Sequence, residues 1–287
     1  MEIVNPKVII VGCGNLGKKI GDIFAQHENF QILGVKRNPS GQSNFPILAK
    51  DIFANDFSAW IVAENPNYII YSATPGSSNS EDYQKIYVEG LKKITDIIES
   101  QKLQTKVFFI SSTRVFNGNT NLEALDDHDE ITPNDEQGRI LGQAECIATK
   151  NDKGFVFRLT GIYGVDRTMM IRLAQDQQSW PENRFTNRIY DEDAANIIVN
   201  IILNKHLDPK FNLPLTINIT DSRPVELYLV LNFIRKKLNL PEVRLEPIDR
   251  VVGKKIISTF VSKKLNYQFK HPSFESGYTE IIQKMAR

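Results

Sequence analysis

Short apolar runs alternate with longer amphipathic stretches through the first half of the chain. The runs predict strands at residues 7–11, 31–35, 68–73, 106–110 and 155–159. Between them, apolar residues recur at helical spacing, which predicts helices at 15–27, 82–101 and 133–149. Thr132 is predicted to cap the last helix, with Pro133 at its first position. Strands and helices that alternate in this way favour an α/β fold with a doubly wound parallel sheet.

Three glycines follow the first strand and open the first helix. They are Gly12, Gly14 and Gly17. In this context the first permits a tight turn, the second lets a pyrophosphate approach the backbone, and the third lets the helix pack on the strand. Helix-terminal amides and the helix dipole favour bound phosphate. The loop therefore predicts a Rossmann-type dinucleotide site that includes Asn15 and Leu16, and a merely glycine-rich turn is the alternative.

The end of the second strand carries two cations, Lys36 and Arg37. An NAD site usually places Asp or Glu there to accept from the ribose hydroxyls. Positive side chains suit a 2′-phosphate instead, because Arg can bind it with two hydrogen bonds. We therefore predict that the cofactor is NADP(H), with NAD as the alternative. The alternative role for Lys36 and Arg37 is that of charged side chains of a loop that contact only solvent. Asp51 and Ile52, after the next apolar stretch, are predicted to contact the adenine.

Beyond Tyr163 the pattern changes to polar loops, including 169–188, followed by further elements. Helices are predicted at 191–203 and 225–238, with a strand at 215–219 between them. The prediction is a Rossmann domain at 1–165 and a smaller C-terminal substrate lobe at 166–287. Because no flexible linker or repeat separates them, the lobe should pack on the first domain and segments of the two can interleave.

Composition points to a small-molecule ligand. The chain has 287 residues and a formal net charge of +1, so no broad charged field predicts nucleic acid or an anionic membrane as partner. Its two cysteines and four histidines are scattered singly, which predicts no metal site. No apolar run approaches the ~18 residues of a membrane span, and no signal peptide is evident. We predict a cytoplasmic protein, either a monomer or a homodimer.

Several segments together resemble the extended short-chain dehydrogenase/reductases, the NAD-dependent epimerase/dehydratase group. The closing KKLNYQFKHPSFESGYTEII also resembles the C-terminal end of an atypical subgroup. The other matching segments are GCGNLG at 12–17, YSATPG at 71–76, FISSTRVFNG at 109–118, RLTGIYG at 158–164 and RIYDEDAA at 188–195.

The resemblance implies roles for individual residues. Ser112 matches the Ser or Thr that hydrogen-bonds the reacting hydroxyl or carbonyl, and Tyr163 is a second catalytic candidate near the nicotinamide end, beside Arg158. Arg167 matches a phosphate-binding Arg of nucleotide-sugar enzymes, with a surface salt bridge as the alternative. The remaining implied contacts are Ala73, Thr74, Pro75 and Ser111 for the cofactor, and Thr113 and Arg114 for the substrate, where dehydratases carry an acidic pair.

One departure from the family affects catalysis. Active members carry a YxxxK pair on the helix after the SSxxVYG segment, and its Tyr transfers the proton. Here Gln137 stands at the Tyr position and Leu141 at the Lys position. Gln does not ionise near neutral pH and Leu has no polar group. Other groups near this helix that are considered for the proton transfer are Asp135, Glu136 and Arg139. Tyr190 is a further aromatic candidate for the same role.

Two functions remain open from the sequence. The first is an NAD(P)-dependent oxidoreductase or epimerase that acts on a small hydroxyl or carbonyl compound, with phosphorylated or nucleotide-linked compounds among the candidates. The second is a non-catalytic NADP(H)-binding protein whose occupancy reports redox state to a partner. Whether the chain is an enzyme is therefore left open by the missing Tyr and Lys.

Overall fold

A seven-stranded parallel sheet lies at the centre of the structure, a computed structural model that describes residues 5–119, 123–150, 153–243 and 251–286. The strands are β1 (Lys7–Val11), β2 (Gln31–Lys36), β3 (Ile47–Ala49), β4 (Tyr68–Tyr71), β5 (Lys106–Ser112), β6 (Ala124–Leu125), β7 (Gly154–Leu159), β8 (Gly161–Tyr163), β9 (Phe185–Thr186), β10 (Arg188–Tyr190), β11 (Thr216–Ile219), β12 (Val225–Glu226) and β13 (Lys255–Ile256). The central order is β11-β7-β5-β4-β1-β2-β3, with every neighbouring pair parallel. This confirms the predicted doubly wound sheet.

Helices cover both faces of the sheet. They are α1 (Asn15–Phe24), α2 (Phe57–Glu64), α3 (Ser80–Tyr83), α4 (Leu91–Ser100), α5 (Glu136–Thr149), α6 (Met169–Gln175), α7 (Asp191–Leu207), α8 (Leu227–Lys237) and α9 (Phe274–Met285). Alternate residues of β1 face opposite cores, as the period of a strand requires. Val8 and Ile10 lie in the core with α1 and α7, whereas Ile9 and Val11 lie in the core with α2, α4 and α5.

A third hydrophobic core lies in the C-terminal part of the chain. It is formed by side chains from α6, α8 and α9 around Tyr163 and Tyr190. Two other elements beyond residue 165 join the central layers instead, because β11 is the edge strand beside β7 and α7 packs against α1. The chain thus passes between its two parts more than once, and the division at residue 165 stays a prediction.

Several predicted element boundaries need correction. Asp135, not Thr132, is the N-cap of α5, because its carboxylate accepts from the amide of Gly138 at 2.7 Å. Pro133 therefore precedes the helix. The helix predicted at 82–101 begins at Ser80 and contains a π-helical segment, Gln84–Gly90.

Three shorter features differ from the predictions or were missing from them. The strand β3 was not predicted, since three residues show no clear alternation. The helix predicted at 225–238 begins at Leu227 because Val225–Glu226 pairs with β9 as an antiparallel strand. The polar stretch 169–188 contains the helix α6 and a short 3₁₀ turn, Gln177–Ser179.

Candidate functional site

A cleft of about 760 Å³ lies at the carboxyl ends of the central strands, where open α/β sheets bind ligands. The loops after β1, β2, β4 and β5 form its walls. Residues predicted for the site that line this cleft are Gly12, Gly14, Asn15, Leu16, Gly17, Lys36, Arg37, Asp51, Ile52, Ala73, Thr74, Ser111, Ser112 and Arg167. The fold therefore brings together segments that are far apart in the sequence.

The glycine loop has the geometry that its three glycines predict. Gly12 has φ +82°, and a Cβ there would lie 2.2 Å from the Cα of Ala73. A Cβ at Gly17 would lie 3.0 Å from Ile10 Cγ2, so α1 packs closely on β1. At Gly14, by contrast, the nearest atom is the Gly12 oxygen at 4.0 Å. The second glycine thus opens onto the cleft.

The N-terminus of α1 offers donors to an anion. Gly14 is its N-cap, no side chain caps it, and no acidic residue lies in its first turn. First-turn amides have no acceptor within their own helix, and the helix dipole makes this end partially positive. The donor set fits a pyrophosphate group.

Two cations lie at another end of the same cleft. Lys36 is half-buried at the end of β2, and Arg37 beside it is exposed. Across the described ranges, neither side chain has a hydrogen bond or ion pair. Nearby Lys50 is instead paired with Asp56 at 2.9 Å. Two positive side chains in the cleft are therefore available to a ligand.

The predicted adenine contacts lie close to these cations. Ile52 is buried, and Asp51 accepts a hydrogen bond from the backbone amide of Phe53 at 2.9 Å. Both residues line the cleft. Their positions agree with a ligand surface formed by one apolar side chain and the loop that follows β3.

The two serines at the end of β5 point to different surroundings. The hydroxyl of Ser111 donates to buried Glu145 at 2.6 Å, and Glu145 in turn pairs with Arg158 at 2.8 Å. Arg158, expected near the nicotinamide end, is therefore engaged in a buried ion pair. The Ser112 oxygen accepts from the amide of Arg114 at 3.2 Å. In the described structure its hydroxyl proton has no protein acceptor, so it can serve a ligand oxygen.

A hydrogen-bonded link occupies the place of the missing tyrosine. The Gln137 amide nitrogen donates to the Ser78 carbonyl at 2.9 Å, and its oxygen accepts from Arg114 at 3.2 Å. Arg114 also pairs with Asp135 at 2.9 Å. Leu141 is buried in the core under α5. Neither replacement provides a proton at this position.

The surroundings of Asp135 lower the pKa of its carboxyl. Partial burial raises the pKa of this carboxyl, but hydrogen bonds from Arg114, Gly138 and Asn117 outweigh that effect and hold it below its usual range. The carboxylate caps α5 and pairs with Arg114, which agrees with a structural role.

Four predicted site residues do not line the cleft. Tyr163 stacks on Tyr278 with ring centres 4.8 Å apart, its hydroxyl donates to the Ser273 carbonyl, and burial raises its pKa. We therefore do not retain it as a catalytic residue; Tyr190 is packed against it in the same core. The others are Pro75, Thr113, whose hydroxyl donates to the Leu159 carbonyl, and Arg114, which is held by Asp135 and Gln137.

Lys254 is a residue near the site that sequence patterns did not indicate. Its ammonium group donates to the Thr113 carbonyl and to Asn117 Oδ1, on the turn that follows Ser112. Burial, with nearby Arg114 and Arg184 adding to it and Asp135 opposing it, lowers the pKa of Lys254 to about 8. No local motif marks this lysine, because it reaches the turn from 137 residues away in sequence.

Two structural features are absent from the part of the chain that the structure describes. No group of three or more His, Cys, Asp or Glu side chains is arranged to hold a metal ion there. None of the helices in that part is both long enough and apolar enough to cross a bilayer.

Comparison with known proteins places the whole chain beside one group of solved structures. A protein from Methylobacillus flagellatus, provisionally assigned as an NAD-dependent epimerase/dehydratase, is 28% identical with a TM-score of 0.84, over 99% of this chain and 100% of that one. The dTDP-glucose 4,6-dehydratase of Bacillus anthracis in complex with NAD is 15% identical with a TM-score of 0.76, over 98% and 96%.

A third neighbour has the same fold. The UDP-N-acetylglucosamine 4-epimerase of Bacillus cereus is 15% identical with a TM-score of 0.76, over 98% of this chain and 100% of that one. No protein-family model and no curated protein sequence matches the chain. Over nearly its whole length the chain is therefore similar to structures named as NAD-dependent epimerases and dehydratases, and it shares their fold.

Proposed function

We propose that the chain binds NADP(H) in this cleft and is an oxidoreductase of the epimerase/dehydratase type. Its substrate is a small hydroxyl or carbonyl compound, with phosphorylated or nucleotide-linked compounds as the candidate class. The observation that carries the proposal is the glycine loop, open to the cleft at Gly14 and followed by an uncapped helix N-terminus. Two neighbours named as sugar-nucleotide enzymes, one of them solved with NAD, have the same fold.

The residues present fit the dinucleotide along the cleft. Amides at the start of α1 would hold the pyrophosphate, and Asp51 and Ile52 would border the adenine. The unpaired Lys36 and Arg37 favour NADP(H) over NAD, because a 2′-phosphate adds a negative charge that an acidic residue there would repel. When bound, this cofactor supplies or accepts a hydride.

Ser112 is the residue that we assign to the reacting group. Its hydroxyl lies in the cleft at the end of β5 and is free to donate to a carbonyl oxygen. Such a hydrogen bond polarises the carbonyl and positions the substrate. Loss of one general acid typically slows a reaction by about 10²- to 10⁴-fold without preventing it. Replacement of the tyrosine by Gln137 is therefore compatible with slow catalysis.

The same replacement favours a second candidate function. Both polar ends of Gln137 are satisfied by protein atoms, Ser78 and Arg114, and this link joins three segments around the cleft. A protein that only binds NADP(H) and reports its redox state needs no proton donor at this position. In that case the site is occupied in the same way and no substrate is turned over.

Cofactor consumption separates the two functions. We expect NADPH absorbance to fall when the protein is mixed with a panel of sugar-nucleotide and small carbonyl compounds, with kcat/KM reduced about 10²- to 10⁴-fold in Ser112→Ala. Removing the hydroxyl takes away the donor to the reacting oxygen. Ser179→Ala, in the C-terminal part, is the control and should match the wild type. If NADPH binds but no compound consumes it, the enzyme proposal is wrong and the binding role stands.

A further inference from the structure

Arg167 lines the same cleft as the glycine loop. Arg167 is the last residue of a turn, residues 164–167, that follows β8. In this turn the Arg167 amide donates to the Gly164 carbonyl at 3.0 Å. Its side chain shares the cleft lining with Gly14, Asn15 and Leu16. The turn therefore brings a guanidinium group to the part of the cleft that contains the N-terminus of α1.

Two contacts hold this turn against α1. The amide nitrogen of Asn15 donates to Asp166 at 3.3 Å. On the other side the turn lies directly on Asp191, since a Cβ at Gly164 would come within 2.3 Å of that carboxylate. Asp191 is also 3.6 Å from Lys19 of α1. The position of Arg167 relative to the helix is thus fixed by protein contacts that do not require a ligand.

The guanidinium of Arg167 lacks a protein acceptor at its Nε. This atom is buried and has no hydrogen-bond partner among residues 5–119, 123–150, 153–243 and 251–286. Burial raises the pKa of the nearby Asp191 carboxyl, with Lys19 and Arg167 opposing that shift, but no ion pair within 4.0 Å joins the described side chains of Arg167 and Asp191. Because buried donors in proteins are nearly always bonded, the free Nε indicates an acceptor that comes with a ligand.

We propose that Arg167 binds the dinucleotide pyrophosphate from the side opposite the first turn of α1. This rests on the proposed NADP(H) site, and it replaces the substrate-phosphate role that the family resemblance implied. The pyrophosphate carries one negative charge on each phosphorus, and an Arg fork can bind two of its oxygens at once. Helix amides and Arg167 would then hold the same group from two walls of the cleft.

The test compares a ligand that has a pyrophosphate with one that lacks it. NADPH has both the pyrophosphate and the 2′-phosphate, whereas adenosine 2′-monophosphate has only the latter. Affinities for both are measured by calorimetric titration of Arg167→Gln, with Arg172→Gln as the matched control because Arg172 is an exposed arginine of α6. A second variant, Arg167→Lys, keeps the charge if the amide variant is poorly folded.

We expect Arg167→Gln to weaken NADPH binding by about 10- to 100-fold, the range of a lost charge-assisted hydrogen bond, and to leave adenosine 2′-monophosphate unchanged. Arg37→Ala should weaken the binding of both NADPH and adenosine 2′-monophosphate. Wild-type affinity for NADPH in Arg167→Gln would overturn this inference alone. An equal loss of affinity for both ligands would also overturn the inference, since the substitution would then not act through the pyrophosphate. A wild-type protein that binds neither ligand would overturn the NADP(H) proposal itself.

Discussion

A valine at Gly14 is expected to leave the protein folded and to remove dinucleotide binding. The backbone there is extended, with φ −82° and ψ −156°, so no left-handed conformation is required, and an added Cβ would meet no protein atom closer than 4.0 Å. The new side chain would instead fill the space where a pyrophosphate approaches the helix amides. We expect NADPH affinity to fall by at least about 100-fold, equivalent to about 2.7 kcal/mol.

Two measurements check this prediction together. Thermal unfolding without ligand should give the wild-type Tm for Gly14→Val, and calorimetric titration should show the loss of NADPH binding. If the variant binds NADPH as tightly as the wild type, the cleft beside Gly14 does not hold the pyrophosphate. If the variant unfolds, the protein does not have room for a valine side chain at position 14.

Alanine at Gly12 is expected to have the opposite effect, a large loss of stability. The φ of +82° is unfavourable for any residue with a Cβ, and here that Cβ would lie 2.2 Å from Cα and 2.3 Å from N of Ala73. Because these are backbone atoms of the loop that directly follows the central strand β4, two residues after its end, they cannot move away cheaply. We expect the free energy of unfolding to fall by about 3 kcal/mol or more.

Urea unfolding of Gly12→Ala, without any ligand, measures this loss. Gly14→Val provides the matched comparison, since it changes a glycine of the same loop without an overlap. An unfolding midpoint close to that of the wild type would mean that the loop relaxes around Ala73. The tight turn would then not be the reason for a glycine at position 12.

The residues predicted to bind the cofactor lie together in the structure because the sequence signals that mark them are local. The glycine spacing, the helix that follows it and the cations after the second strand are all read within one βαβ unit. The carboxyl ends of parallel strands lie at one edge of the sheet, so predicted strands also place Ser112 near the glycine loop. These residues line one cleft in the structure.

The surroundings of Tyr163 and of the turn after Ser112 could not be predicted in the same way because they depend on contacts between residues far apart in the sequence. Tyr163 follows a motif near the cleft, but its ring is held by Tyr278 of α9, and nothing in the local sequence reveals that partner. Lys254 reaches the turn after Ser112 from the C-terminal part of the chain. The cap of α5 is a smaller case, since Thr132 and Asp135 are both capping residues and only the backbone geometry selects Asp135.

Calorimetric titration of the purified wild-type protein with NADPH and with NADH is the direct test of whether the cleft is an NADP(H) site. We expect saturable binding of one NADPH per chain, at least about tenfold tighter than NADH because Lys36 and Arg37 bind the added phosphate. Equal affinities would contradict the assignment of NADP(H). No detectable binding of either dinucleotide would contradict the whole account of the cleft.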